Sequence, residues 1–132
     1  MRIFEVWAAK EKQMENKFCV HEAEVLPQSF PSHDYIELLN QSNGCVAGCR
    51  TGILIYRQTE FLQGGVHDDQ EGFFVLEGTG RAKVGNSEFA ISPGCSFIAP
   101  AGQYHYICRD KDSIPIRLFF FHASTVLPEE IK

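Results

Sequence analysis

Two segments carry the most chemically informative residues of the chain. His67 and Glu71 stand in Gly65-Val-His67-Asp-Asp-Gln-Glu71-Gly-Phe-Phe-Val-Leu-Glu-Gly78, and His105 stands in Gly94-Cys-Ser-Phe-Ile-Ala-Pro100-Ala-Gly102-Gln-Tyr-His105-Tyr-Ile-Cys-Arg109. Imidazole and carboxylate groups are metal-ligand types, so the first question is whether His67 and Glu71 can reach one ion. On a straight strand, residues four apart share a face but stand about 13 Å apart, too far to ligate one ion. The spacing of His67 and Glu71 therefore requires a bend between them. A tight turn at Asp68-Asp69-Gln70, residue types that suit one, would end a strand at His67 and open the next at Glu71, with the side chains facing across the pair.

The elements that must position these groups are short strands. From about Val46 the sequence is a succession of apolar or alternating runs separated by Gly, Pro, Asn and Asp: Thr51–Thr59, Gly72–Leu76, Arg81–Val84, Glu88–Ile91, Ser96–Ala99, His105–Cys108 and Ile116–Phe121. This is an all-β pattern. Gly85-Asn86 between two of the runs marks a hairpin, because such a pair accepts the positive φ values of a tight turn. So many strands in one small domain must close or cover their edges, which favours a barrel or a double sheet. Earlier in the chain, Ala8–Lys17 has the composition of a short surface helix, and Tyr35–Asn40 fits a strand or a helical turn equally.

In order and in spacing, the two segments resemble the paired motifs of the cupin superfamily. The second motif reads Gly, five residues, Pro-x-Gly, two residues, His, three residues, Asn; Gly94, Pro100, Gly102 and His105 fit it. The first ends His-x-His, three or four residues, Glu, six residues, Gly; His67, Glu71 and Gly78 fall on its second His, its Glu and its last Gly. The resemblance implies a cupin-like double-stranded β-helix, or jelly-roll barrel, within one domain over residues 1–132. Residues 1–45 would form N-terminal strands and the short helix, 46–122 the barrel core, and 123–132 a C-terminal tail. It also implies a divalent metal (Fe, Mn, Zn or Ni) on His67, Glu71 and His105, and a homodimer.

Two departures bear on the site. Gly65 stands where the family's first histidine would be, and Arg109 replaces the Asn. The missing ligand has three candidate substitutes: water, Asp69, or Gln63, which shares the face of Gly65 and His67 on a regular strand. Arg109 is in phase with His105 and Ile107, so it is a candidate anchor for a substrate carboxylate or phosphate. Phe73 shares the face of Glu71 and is a candidate cavity wall. The phase of His122 is left open.

Composition bounds the partners. The 132 residues carry 12 Lys+Arg against 17 Asp+Glu, a net charge of −5, with the basic residues scattered. That lacks the footprint of phosphate-backbone binding, so no nucleic acid is expected. No apolar run approaches the roughly 20 residues of a membrane span, and the N-terminus lacks a signal-peptide pattern, so a cytoplasmic protein is expected. Five cysteines, an odd number, fit reduced and mostly buried thiols, with packing the expected role of the Cys45/Cys49 pair. No phosphate loop, nucleophile elbow or Cys-x-x-Cys pair is present. Three readings remain: a metal-dependent enzyme acting on a small oxygen-rich metabolite (dioxygenase, isomerase, decarboxylase or lyase); a non-catalytic small-molecule-binding or sensor module, with or without metal; and a purely structural domain, which requires Phe side chains to fill the cavity.

Overall fold

Gly85 and Asn86 connect β5 (Gly80–Val84) to β6 (Ser87–Ile91), which pair antiparallel from Val84↔Ser87 to Gly80↔Ile91. The hairpin is the expected one, but only Gly85 takes a positive φ, 57°. A positive φ at the first central position alone is the arrangement that selects glycine there.

The computed structural model describes residues 17–126, so nearly all of the expected Ala8–Lys17 helix, and the tail from residue 127, lie outside the described residues. Within them the chain runs through a 3₁₀ turn (Glu22–Glu24), β1 (Gln28–Ser29), β2 (His33–Leu39), a second 3₁₀ turn (Gln41–Asn43), β3 (Arg50–Tyr56), β4 (Gln70–Glu77), β5, β6, β7 (Ser96–Ala99), β8 (His105–Arg109) and β9 (Ile116–Ala123). Tyr35–Asn40 resolves as strand up to Leu39. Asn40 then caps the second turn, its side chain accepting from the Ser42 N–H and its own N–H donating to Asn43. No helix among the described residues is long and apolar enough to cross a membrane.

All strands are antiparallel and fall into two sheets, β1-β2-β3-β9-β4-β7 and β6-β5-β8. Their facing sides enclose one core of Leu54, Tyr56, Phe73, Val75, Ala82, Ile91, Ala99, Ile107, Ile116, Leu118 and Phe120. This is the expected all-β double sheet. Alternation along β9 shows how the core is filled: Ile116, Leu118, Phe120 and His122 are buried, whereas Arg117, Phe119 and Phe121 are more exposed. Gly52 on β3 leaves room for Phe120, since a Cβ there would lie 2.6 Å from the Phe120 ring and 2.1 Å from the Ile36 carbonyl.

The cysteines differ from expectation. All five are free, but only Cys108 is buried, and Cys19 is exposed. Cys45 and Cys49 lie half-buried in the loop before β3, where Ala47 (φ 56°) and Gly48 (φ 77°) both take the left-handed region.

Candidate metal centre

His67 and Glu71 meet, but not across a hairpin. Gly65 pairs with His105, the Gly65 N–H donating to the His105 carbonyl at 3.0 Å and the reverse bond measuring 2.9 Å. The Gly102 N–H then donates to the His67 carbonyl at 2.8 Å. The stretch around Gly65–His67 is therefore tied to β8 and the turn before it, in the smaller sheet. The chain bends at Asp68-Asp69, and Gln70 opens β4 in the larger sheet, between β7 and β9. The two sides of the bend have separate partners, so it is a corner between sheets, and that corner removes the 13 Å separation of a straight strand.

His67 Nε2 lies 3.2 Å from Glu71 Oε1, and His105 Nε2 lies 3.3 Å from the same oxygen. The donor atoms of His67, Glu71 and His105 all fall within 4.8 Å of one another. Donors about 2.1 Å from a shared ion stand roughly 3.0–3.4 Å apart at right-angled to tetrahedral geometry, a range that holds the two histidine–carboxylate separations. Glu71 and His105 are buried, while His67 sits at the rim. His105 Nδ1 is buried without a hydrogen-bond partner, leaving Nε2, the nitrogen facing Glu71, as the polar contact of that ring.

A third imidazole completes the surroundings of Glu71. His122, which pairs with Glu71 in register, places Nε2 3.4 Å from Glu71 Oε2, and its Nδ1 lies 3.1 Å from both carboxylate oxygens of Asp69. Asp69, one of the candidate substitutes for the missing ligand, is thus joined to His122. Sequence reasoning left the direction of His122 open, yet Arg117 held the signal. A charged residue at an odd position of the β9 run sends the odd positions outward, and His122 then points inward with Ile116, Leu118 and Phe120.

Electrostatics favour an ionised carboxylate among basic imidazoles. Burial raises the Glu71 pKa, but hydrogen bonds and charge from His105 and His122 outweigh it and hold the carboxyl at about 2. Burial, with the nearby His105 and His122, lowers the His67 pKa despite the opposing pull of Glu71, which favours its neutral, ligating form. For His122, burial acts downward, and hydrogen bonds to Glu71 and Asp69 with the Glu71 charge override it, so its pKa is raised.

The site opens into a cavity of about 280 Å³ between β2, β3 and the Gln63–His67 stretch. Its wall includes His67, Glu71, His105, His122, Gln63, Gly65, His33, Tyr35, Tyr56 and Arg50. A Cβ at Gly65 would lie 3.4 Å from the His105 ring and 3.7 Å from His67 Nε2, so the position of the absent histidine aims directly at the donors. The two expected ligand-binding residues lie elsewhere. Phe73 is 1% exposed, stacked on Phe97 with centroids 4.7 Å apart, and forms core beneath His105 rather than wall. Arg109 points its guanidinium at backbone carbonyls: Nε donates to Arg57, and Nη1 to Asp110, Lys111 and Ser113. It has the inward phase expected of it but occupies the other end of β8.

Comparison with known proteins agrees with this architecture. Residues 62–122 match the family model described as the cupin domain. No curated protein matches the sequence. Solved structures of similar fold include hydroxypropylphosphonic acid epoxidase from S. wedmorenis, with a TM-score of 0.67, 16% identity, and 80% of this chain against 58% of that one. The cupin domain of Schizosaccharomyces pombe Cnp3 gives 0.62 and 19%, covering 79% of this chain and 67% of that one. A variant of oxalate decarboxylase from B. subtilis gives 0.66 and 11%, covering 82% and 30%. The chain thus spans less than two thirds of the epoxidase's length, and at these identities the likeness is one of fold.

Proposed function

We propose that this chain, a cupin, holds a divalent metal ion on His67, Glu71 and His105 and acts on a small oxygen-rich metabolite in the adjoining cavity. The observation that carries the reading is the pair of 3.2 and 3.3 Å separations that bring two imidazole nitrogens onto one carboxylate oxygen at the cavity wall. Similarity to an epoxidase whose structure is described as Fe(II)-bound with an alternative substrate supports it. When bound, such an ion polarises a ligand oxygen or activates water or dioxygen. The chain's own groups do the rest. Glu71 stays ionised to neutral pH and well below, the half-exposed His67 offers a neutral ring at the rim, and Asp69 and His122 fix the carboxylate from behind. Phe73 and Phe120, almost without exposed surface, keep water from the underside. The cavity, smaller than the roughly 300–1,000 Å³ of drug-sized pockets, suits a metabolite of few heavy atoms. A homodimer belongs to the same reading, supported by Phe74, Ile98 and Phe121, which remain exposed on neighbouring strands of the larger sheet.

A second reading, a container without catalysis, is supported by Gly65, which stands where the cupin motif has its first histidine and leaves the donor set one ligand short. Elemental analysis of the purified protein separates the two. Stoichiometric metal that disappears in both Glu71→Ala and His105→Ala supports the metal centre; metal retained in both rejects this ligand set; failure to load any divalent ion supports the container.

A further inference from the structure

Among the described residues, four of the five arginines are committed. Arg57 bonds Asp34 at 2.5 Å and the Phe30 carbonyl; Arg81 pairs with Glu88 at 3.5 Å; Arg117 pairs with Glu22; Arg109 holds the carbonyls named above. The Arg50 side chain has neither a hydrogen bond nor an ion pair among the described residues, yet it lines the cavity that holds the metal-ligand set. Its neighbour Glu37 does not neutralise it by contact. Glu37 Oε1 accepts from the Tyr35 hydroxyl and Oε2 from Asn40 Nδ2, and no Glu37 oxygen lies within 4.0 Å of the guanidinium.

Strand register explains why Arg50 faces the donors. Arg50 on β3 is directly opposite His122 on β9, and His122 is directly opposite Glu71 on β4. Directly opposed residues project from the same side of a sheet. The three therefore form one transverse row, in which Arg50 stands two strand spacings from Glu71, about 10 Å between Cα atoms. Both long side chains rise from that row into the cavity, one presenting a planar five-donor fork and the other belonging to the metal set. A half-buried guanidinium with no acceptor among the described residues, in a pocket whose wall holds no other arginine or lysine, is matched by an oxyanion that forms two parallel N–H···O bonds.

We propose that Arg50 is the anion-binding residue of this cavity and that its ligand is a small hydroxy or oxo metabolite with a carboxylate or phosphoryl group at one end. The anionic end meets Arg50 while the oxygen-bearing end reaches His67, Glu71 and His105. The inference names the substrate class for the site proposed above, and its metal-facing half rests on that reading.

The test uses the whole chain and three probes with similar carbon frames: 3-hydroxypropanoate, glycerol 3-phosphate and neutral glycerol. Calorimetric titration of the wild type should show binding of at least one anion and weaker or no binding of glycerol; the anion that binds distinguishes carboxylate from phosphoryl recognition. Arg50→Gln should weaken that anion at least tenfold without altering any response to glycerol, and Arg50→Lys should recover part of the loss by restoring charge without the fork. Circular dichroism of each variant checks the fold, and elemental analysis checks its metal. Undiminished anion binding in a folded, metal-replete Arg50→Gln variant overturns the inference while leaving the metal centre intact. Arg50-dependent binding in a protein that never takes up metal supports Arg50 and rejects the metal reading. Failure of the wild type to bind either anion overturns the inference as well.

Discussion

His122 Nε2 lies 3.4 Å from Oε2 of Glu71, on the opposite oxygen from the one that faces His67 and His105. Both arms of the carboxylate are thereby engaged, and Asp69 holds the far nitrogen of His122. Groups that orient a metal-binding side chain typically contribute about 10- to 100-fold in metal affinity. His122→Phe, which keeps the ring volume at a buried position, should therefore weaken metal binding by about that factor and leave the stoichiometry unchanged. Asp69→Asn should have a smaller effect in the same direction. Competition with a chelator measures both; unaltered affinity in His122→Phe would remove the positioning role.

Gly65 leaves the opposite side of the donor set open. The space for a Cβ is ordinary van der Waals contact, and the backbone there is outside the left-handed region, so a Cβ is accepted without strain. Gly65→His should place a third imidazole among the donors and raise metal affinity by about tenfold or more, given the weight of one good ligand at a preformed site. The same chelator competition reads it. A fall in affinity would mean that the added ring displaces His105 rather than joining it.

Proton linkage gives a pH signature for the metal-free protein. The Glu71 carboxyl is depressed from 4.5 to about 2. A depressed carboxyl contributes stability that is present above about pH 4.5 and lost as pH falls toward 2, here on the order of 3 kcal/mol. His122 acts on the other limb: its raised pKa contributes stability that is complete below about pH 6.5 and lost as pH rises through the folded value. Chelator-treated protein should therefore melt highest between these limits. Glu71→Gln should make the acid limb shallower, the depressed Asp34 and Glu37 and the lowered His33 and His67 supplying what is left of it, and thermal melts from pH 2 to 9 check it.

The donor triad is legible through the cupin resemblance, whose motifs put His67, Glu71 and His105 on ligand positions, and the donor atoms of the three lie within 4.8 Å of one another; residue type alone would leave His67 a solvated turn residue. The corner between them was not legible as a corner. A bend in Asp-Asp-Gln reads the same whether the chain turns back on its own sheet or passes to the facing one, and the choice depends on β8 and β9, which lie far downstream. Phase misled in the case of Arg109. Strand alternation assigns a face but not a height along the barrel, and four residues beyond His105 is about 13 Å away. Arg50 and His122, at opposed ends of β3 and β9, reach the right height because of a register that no local pattern encodes.

Arg109 supplies the contrast that separates a structural arginine from a binding one. Its guanidinium ties the Arg57 carbonyl to the loop carbonyls of Asp110, Lys111 and Ser113. Arg109→Gln should therefore lower stability by about 1–3 kcal/mol, as expected when hydrogen bonds to a charged donor are lost, and leave metal content unchanged. Denaturant unfolding reads the loss, and a change of less than about 0.5 kcal/mol would contradict the role.

Gly52 tests the packing that lets the site exist. It lies on β3 two residues from Arg50, and a Cβ there would meet the Ile36 carbonyl at 2.1 Å and the Phe120 ring at 2.6 Å. The ring is the far end of a side chain and can shift, but the carbonyl belongs to the paired strand β2 and cannot move without parting β2 from β3. Gly52→Ala should therefore destabilise by at least the 1–3 kcal/mol typical of overpacking. Phe120→Leu in the same chain should not rescue it, because the backbone clash remains. Because Arg50 is carried on the displaced strand, any folded fraction of Gly52→Ala should also lose affinity for the anionic probe more than for metal. Equal loss of both would place the damage at the donors instead of at β3.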